Sequence, residues 1–91
     1  MPRYFFDIHD GLLLSRDAIG LECNGREGIR FEAMRALPSI ARDEIHKDGD
    51  RQAFSVLVRG EDDITVYSAT LTFAGLWIGD VPIPEPEEPL P

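Results

Sequence analysis

Apolar residues recur at helical spacing between residues 24 and 47. They are separated by steps of three, four or one, which places them on one side of a helix, and the charged residues mostly fall outside that stripe. Asn24 and Glu27 stand at the two positions of a capping box, and Gly49 suits the left-handed residue that often follows a helix. Pro38 interrupts the pattern, so we predict one helix with a kink at this residue. The stripe consists of Ile29, Ala33, Leu37, Ile40, Ala41 and Ile45.

Alternation of apolar and polar residues predicts three strands outside the helix. The first is followed by an Asp-Gly turn, after which residues 12–14 can pair back as a short further strand. Residues 17–25 carry glycine and asparagine breakers and are expected to form a loop. The last two strands are joined by a short acidic turn, which predicts an antiparallel hairpin. The strands are expected at residues 3–9, 52–59 and 64–73.

Together these elements predict an α+β fold. A small antiparallel or mixed sheet of three to four strands carries the Pro-kinked helix on one face, in the order strand, optional short strand, helix, strand, strand. We expect the strand before the helix and the strand after it to be parallel neighbours joined by a right-handed crossover. The second face of the sheet would then expose Phe5, His9 and Leu57 with several threonines, and it is the expected place for a partner.

Length and composition indicate one small domain and a tail. At 91 residues the chain has a thin core, because a domain of this size buries only about 60% of its unfolded surface. We predict a single domain over residues 1–79. Residues 80–91 contain five of the seven prolines and four acidic residues, which is typical of a disordered or extended tail.

The formal net charge of −8 argues against binding to nucleic acid or to an anionic membrane surface. The tail contributes four of those charges, so the folded part is closer to neutral, although no basic patch appears in it. One cysteine allows no intrachain disulfide. Neither a signal peptide nor a run of about 20 apolar residues is visible, so we expect a cytoplasmic protein.

Three stretches of the sequence resemble a family of small bacterial proteins of unknown function. They are the opening PRYFFDIHDG, the segment EAMRALPSIARDE and the later FSVLVRGEDDITVYSATLTF, and the resemblance covers most of residues 2–78. It implies a shared fold and makes Pro38 a family feature. The family has no assigned activity, so the resemblance transfers no catalytic residue.

A looser resemblance, of topology only, connects the chain with antitoxin domains that have a degenerate ribonuclease-H-like fold. It depends on Tyr4, the Asp10-Gly11 turn, Gly20 and the helix at Glu32 and Ala33. The chain departs from those domains because it lacks their proline-containing loop before the helix and follows the helix with a full hairpin.

Potential chemistry is concentrated at the end of the first strand. Asp7 and His9 share a strand face and Asp10 follows in the turn, so the three are candidate metal ligands, against the simpler interpretation of a solvent-facing strand end. Cys23 precedes the helix, whose N-terminus can lower a thiol pKa, but a small buried loop residue is the simpler interpretation. The acidic clusters at residues 48–50 and 61–63 are explained by a helix stop and a hairpin turn.

We predict no catalytic residue and no cofactor, and we expect a homo-oligomer or a protein partner. The leading hypothesis is a small non-enzymatic interaction module, a homodimer or accessory subunit. The alternatives are an antitoxin-like regulator that neutralises a basic partner and a small metal-dependent enzyme using Asp7 and His9. An aromatic residue between apolar neighbours near the chain end is typical of a core lid or an interface anchor. The candidate interface residues are Phe5, Leu57, Leu76, Trp77 and Ile78.

Overall fold

The computed structural model describes residues 1–79, and the predicted tail at residues 80–91 lies outside that range. In chain order the elements are β1 (Arg3–His9), β2 (Leu14–Ser15), β3 (Leu21–Glu22), α1 (Gly25–Glu44), a turn of 3₁₀ helix (Ile45–Lys47), β4 (Arg51–Arg59) and β5 (Thr65–Ala74).

One sheet and one helix make up the described part of the chain, which confirms the α+β class. The strands lie in the order β2-β1-β4-β5, and β3 pairs separately with β1. The sheet has five strands instead of the expected three to four. The difference arises because the segment between β1 and α1 contains two strands of two residues each, where the sequence predicted one short strand and a loop.

The predicted parallel pairing of the strands on either side of the helix is wrong. β1 and β4 are antiparallel neighbours, with Asp7 opposite Leu57. The reason lies in β2 and β3, which carry the chain back along β1 until Leu21 stands opposite Tyr4. The helix therefore starts beside the beginning of β1 and ends at its far end. β4 then starts at that far end and runs in the opposite direction to β1.

The helix α1 is continuous through Pro38, which confirms one helix instead of two. Proline has no N–H to donate to the carbonyl of Met34. Because Pro38 is exposed, water can occupy the place of the missing bond. At the other end Gly49 has a φ of +90°, as expected for the residue that stops a helix.

The predicted capping box is wrong. Asn24 makes no side-chain bond to the first turn of α1, and its backbone (φ −90°, ψ 76°) lies outside the extended region that cap residues normally adopt. The chain enters the helix through Gly25, whose positive φ of +74° redirects it at this point. Glu27 instead lies 3.9 Å from Arg30, in a solvent-exposed ion pair.

The core lies between α1 and the helix-facing side of β4. The predicted stripe is confirmed, because Ile29, Ala33, Leu37 and Ala41 are buried while Ile40 and Ile45 are half-buried against them. Three alternate residues of the central strand complete the core and are almost inaccessible to water: Phe54, Val56 and Val58.

Candidate functional site

The second face of the sheet, opposite α1, carries a buried ion pair at one end. Asp7 on β1 is only 6% exposed, and its Oδ2 accepts a hydrogen bond from Nε of Arg59 on β4 at 2.9 Å. Burial alone raises the pKa of Asp7, but the hydrogen bond and charge of Arg59 and the N–H of Asp17 outweigh it, so that pKa lies below its ordinary value. Asp7 is therefore a carboxylate held by a guanidinium.

A loop over residues 16–20 covers this ion pair. The backbone N–H of Asp17 donates to Oδ1 of Asp7 at 2.9 Å, and its carbonyl accepts from Nη2 of Arg59 at 2.8 Å. The side chain of Asp17 in turn accepts bonds from the backbone N–H groups of Phe6, Ile19 and Gly20. These bonds lower the pKa of Asp17 against the opposing effect of burial. Both acids hold the loop on the sheet.

Phe5 lies beneath the same loop. The guanidinium of Arg59 stacks over its ring, with Cζ 4.7 Å from the ring centroid. Gly20 approaches the ring so closely that a Cβ there would lie 2.9 Å from Cε1 of Phe5. The chain therefore covers Phe5 with its own residues. Leu57 is also half-buried on this face, and the interface role predicted for both residues stays a prediction.

The three candidate metal ligands point to different partners. Asp7 is held by Arg59, whereas Nδ1 of His9 accepts a bond from the N–H of Gly11 at 3.0 Å. Oδ1 of Asp10 accepts from the N–H groups of Leu13 and Leu12, and these bonds lower the pKa of Asp10. Within residues 1–79 no group of three or more histidine, cysteine or acidic side chains is arranged to hold a metal ion.

Cys23 is a core residue, as the simpler interpretation of the sequence had it. Its side chain is buried among the residues that α1 and β4 contribute to the core. Burial raises the pKa of the Cys23 thiol, and the negative charge of Glu32 raises it further. The effect is opposite to the pKa depression that activates a nucleophilic cysteine.

The acidic clusters form turns. Oδ1 of Asp62 accepts the N–H of Ile64, and Oδ1 of Asp63 accepts bonds from Arg16 and Arg59 at 3.1 Å each. At the other cluster, the side-chain amide of Gln52 donates hydrogen bonds to the backbone carbonyls of Ile45 and Gly49. Both clusters therefore have the structural roles that were predicted for them.

A shallow cleft of about 680 Å³ lies between the start of α1 and the edge of the sheet. Two arginines from the first turns of the helix and two tyrosines from the strands line it, and no histidine or cysteine of the described residues contributes to it. Its chemistry is that of positive charge beside phenol hydroxyls. The polar members are Tyr4, Arg26, Glu27, Arg30 and Tyr67.

The outer edge of β5 is a free sheet edge that the sequence pattern did not reveal. β5 pairs with β4 on one side only, and none of the other described strands lies beyond it. All ten of its residues are uncharged. We use the name edge surface for this free edge together with the exposed apolar residues along it and beyond its ends: Ile64, Val66, Leu71, Phe73, Leu76, Trp77 and Ile78.

Three of the five predicted interface residues belong to the edge surface. Leu76, Trp77 and Ile78 are 74%, 74% and 77% exposed, so they do not form a lid over the core. Among the described helices, none has the length and apolar character to cross a membrane.

A family model described as "Domain of unknown function (DUF6894)" matches residues 3–72. The chain belongs to this family. The DUF6894 match runs from the first residue of β1 to Thr72 in β5, so it includes the Asp7–Arg59 pair and most of the free strand. It ends before Phe73 and before the apolar residues 76–78. No curated protein and no solved structure matches the chain.

Proposed function

We propose that this protein is a small non-enzymatic protein-interaction module of the bacterial cytoplasm. The edge surface is the observation that carries the proposal. A long, uncharged strand edge has unpaired N–H and C=O groups that can pair with another chain, and natural proteins normally protect such an edge with charges, proline or a covering element. Here the strand continues instead into three exposed apolar residues.

The contacts of the reactive side chains support a non-enzymatic role. Asp7 and Asp17 are occupied by Arg59 and by loop N–H groups, and the Cys23 thiol is buried with a raised pKa. A catalytic group needs a pKa matched to its task and access to substrate. The depressed carboxyl pKa values and the raised thiol pKa each move these groups away from such a role.

Trp77 offers a direct test because it is the only tryptophan and is exposed. The tagged full chain, isolated with its natural partners at native concentration, should show Trp77 emission shifted to shorter wavelength and protected from acrylamide quenching. The variant Leu76→Asp should lose this protection and any partner bound in stoichiometric amount. The control Phe31→Asp changes an apolar residue on the helix that is also exposed, at 60%, and should keep both the protection and the partner.

Two outcomes would count against the proposal. Trp77 that stays fully quenchable, with neither self-association nor a stoichiometric partner, would contradict an interaction role. A turnover of substrate that is lost on His9→Ala would support the enzyme hypothesis instead. A basic protein as the partner would support the narrower, antitoxin-like form of the module, since the chain carries a net charge of −8.

A further inference from the structure

We infer, as a step that rests on the proposed function, that the edge surface binds a second copy of this chain. The two β5 strands pair antiparallel, with Thr70 of each copy on the two-fold axis, and the two sheets become one continuous sheet with both helices on the same face. A two-fold axis requires a surface that is complementary to itself. The backbone, the side chains and the charges of β5 each satisfy that requirement.

The direction of the backbone groups identifies the residue on the axis. The N–H of Gly75 donates to the carbonyl of Asp50 at 2.7 Å, which marks this pair as a hydrogen-bonded one. Hydrogen-bonded pairs alternate along an antiparallel ladder, so every second residue from Gly75 back to Tyr67 bonds inward to β4. The intervening residues Ser68, Thr70, Thr72 and Ala74 direct their N–H and C=O groups outward, and Ser68 and Thr72 are symmetric about Thr70. The regular ladder ends at Tyr67, because the pairing with β4 has a bulge at Val66.

The side chains match in the register that this symmetry sets. On the helix side Tyr67 stands opposite Phe73 of the second copy, and Ala69 stands opposite Leu71 of the second copy. Leu71 and Phe73 are 39% and 41% exposed, although they lie on the face that α1 packs against. The apposition covers both residues with apolar neighbours. Aromatic pairs across strands are among the more favourable cross-strand pairs.

The opposite face of the joined sheet is matched as well. Thr70 meets its own symmetry mate there, and Ser68 meets Thr72 of the second copy. Hydroxyl pairs of this kind are favourable across strands. Ser55 and Thr70 already form such a pair between β4 and β5, with their hydroxyl oxygens 2.9 Å apart.

The exposed residues at the two ends of β5 come to the same end of the joined sheet. Leu76 follows the end of one strand, and Ile64 precedes the start of the other, beyond the bulge at Val66. These side chains are 74% and 61% exposed in the single chain. The pairing therefore places the apolar end of one molecule against the apolar start of the other, twice by symmetry.

Charge favours a second copy over other occupants. No lysine, arginine, aspartate or glutamate lies in β5, so two copies approach along this edge without the repulsion that a net charge of −8 otherwise produces. A basic partner would find its complement in the acidic turns and not in this strand. Residues 80–91 are a poor alternative, because proline has no N–H to contribute to a ladder and five of them are prolines.

Cysteine cross-linking tests the proposed register of the two β5 strands directly. In the proposed pairing the two Thr70 residues form a hydrogen-bonded pair with Cα atoms about 5.5 Å apart, within the range that a disulfide spans. Thr70→Cys should therefore give a disulfide-linked dimer under mild oxidation. Thr72→Cys should not link to itself, since its symmetry mate is four residues away along the strand, about 14 Å. Ser68→Cys and Thr72→Cys should link only when they are mixed.

Two control proteins distinguish cross-linking by specific strand pairing from cross-linking by random collision of exposed thiols. The unsubstituted chain tests whether buried Cys23 contributes to any linkage, and Ala18→Cys places an exposed thiol on the loop over residues 16–20. Neither should form a dimer at the rate of Thr70→Cys. Efficient self-linkage of Thr72→Cys, or a linkage rate for Thr70→Cys no higher than that for Ala18→Cys, would overturn the register.

Sedimentation equilibrium on the full chain tests the dimer itself. Thr70→Lys places two like charges at the axis and should raise the dissociation constant about tenfold or more. Ser39→Lys adds the same charge to the exposed side of α1 and should leave the constant unchanged, with circular dichroism confirming that both variants fold. A dimer that survives Thr70→Lys would overturn this inference but not the proposed function. A chain that stays monomeric at all concentrations would overturn the inference. The proposed function would then be tested only by the isolation of a stoichiometric partner described above.

Discussion

Asp7 and Arg59 lie diagonally across the two central strands of the sheet, with Nε of Arg59 2.9 Å from Oδ2 of Asp7. The pair connects three segments that are distant in sequence, because Arg59 also binds the carbonyl of Asp17 and a carboxylate oxygen of Asp63. It therefore holds the loop that crosses the second face and the turn of the β4–β5 hairpin at the same end of the molecule.

Replacing Asp7 by asparagine should lower the free energy of unfolding at pH 7 by about 2–3 kcal/mol, because a charge-assisted hydrogen bond is lost at a buried position. Denaturant unfolding followed by circular dichroism measures the change. Asp43→Asn is the matched control, since Asp43 is exposed and its nearest cation, Arg42, is 3.8 Å away. Equal effects of the two substitutions would contradict a stabilising role for Asp7.

The pH dependence of unfolding should follow the depressed pKa values of Asp7 and Asp17. A carboxyl whose pKa is lower in the folded state contributes stability above its unfolded pKa of about 4 and loses that contribution as the pH falls through the folded value. The unsubstituted chain should therefore lose stability below about pH 4. Asp7→Asn should lose less over the same interval, and an unchanged slope would contradict the assigned shift.

Alanine substitutions at two glycines with nearly the same φ distinguish the cost of backbone strain from the cost of steric contact. Gly20 and Gly25 have φ values of +78° and +74°. A Cβ at Gly20 would meet Arg3 at 2.8 Å, whereas a Cβ at Gly25 would meet nothing within 4 Å. Gly25→Ala should cost about 1 kcal/mol of stability from the left-handed conformation alone. Gly20→Ala should cost more, and a cost no larger than that of Gly25→Ala would mean that the loop does not rest on the strand.

Cys23 should react slowly with thiol reagents in the native protein because it is buried and its pKa is raised. The rate of reaction with a colorimetric disulfide reagent should rise steeply as urea unfolds the chain. Ala18→Cys supplies an exposed loop thiol in the same protein as an internal reference. A native Cys23 that reacts as fast as that reference would contradict its place in the core.

Replacing Pro38 by alanine should raise the free energy of unfolding by about 1–2 kcal/mol. The substitution restores the N–H that α1 lacks at this point and removes the steric conflict with the carbonyl of Met34. Ser39→Ala, at the next exposed position, should change stability by only a few tenths of a kcal/mol. A destabilised Pro38→Ala variant would indicate that the proline ring makes a contact on which the fold depends.

Local pattern was sufficient to predict the helix, the three long strands and the faces on which their residues lie. Phe54, Val56 and Val58 stand at every second position of their strand, and Ile29 to Ala41 recur at helical spacing, so each set lies on one face of its element. The hairpin was predictable too, because residues 60–63 are too few to allow anything but an antiparallel return.

The sequence pattern could not show the path between β1 and α1. Two strands of two residues each are too short for any periodicity, and they decide whether the helix starts at the near or the far end of β1. Without the path of these two short strands, the sequence pattern favoured a parallel pairing of β1 and β4. The site depended on the same path, because Asp17 reaches Asp7 only after the chain turns back over the sheet. Asn24 failed as a cap because Gly25 adopts a positive φ, which composition does not reveal.

The two edges of the sheet differ in a way that limits how far copies can assemble. On one side β2 and β3 occupy β1 with strands of two residues each, while on the other side β5 offers an open ladder ten residues long. A molecule with a single extendable edge can pair with only one other molecule through it. Once two such edges have paired, neither copy has a second long edge free for a third molecule. The chain can therefore form a closed dimer that does not extend into a fibre.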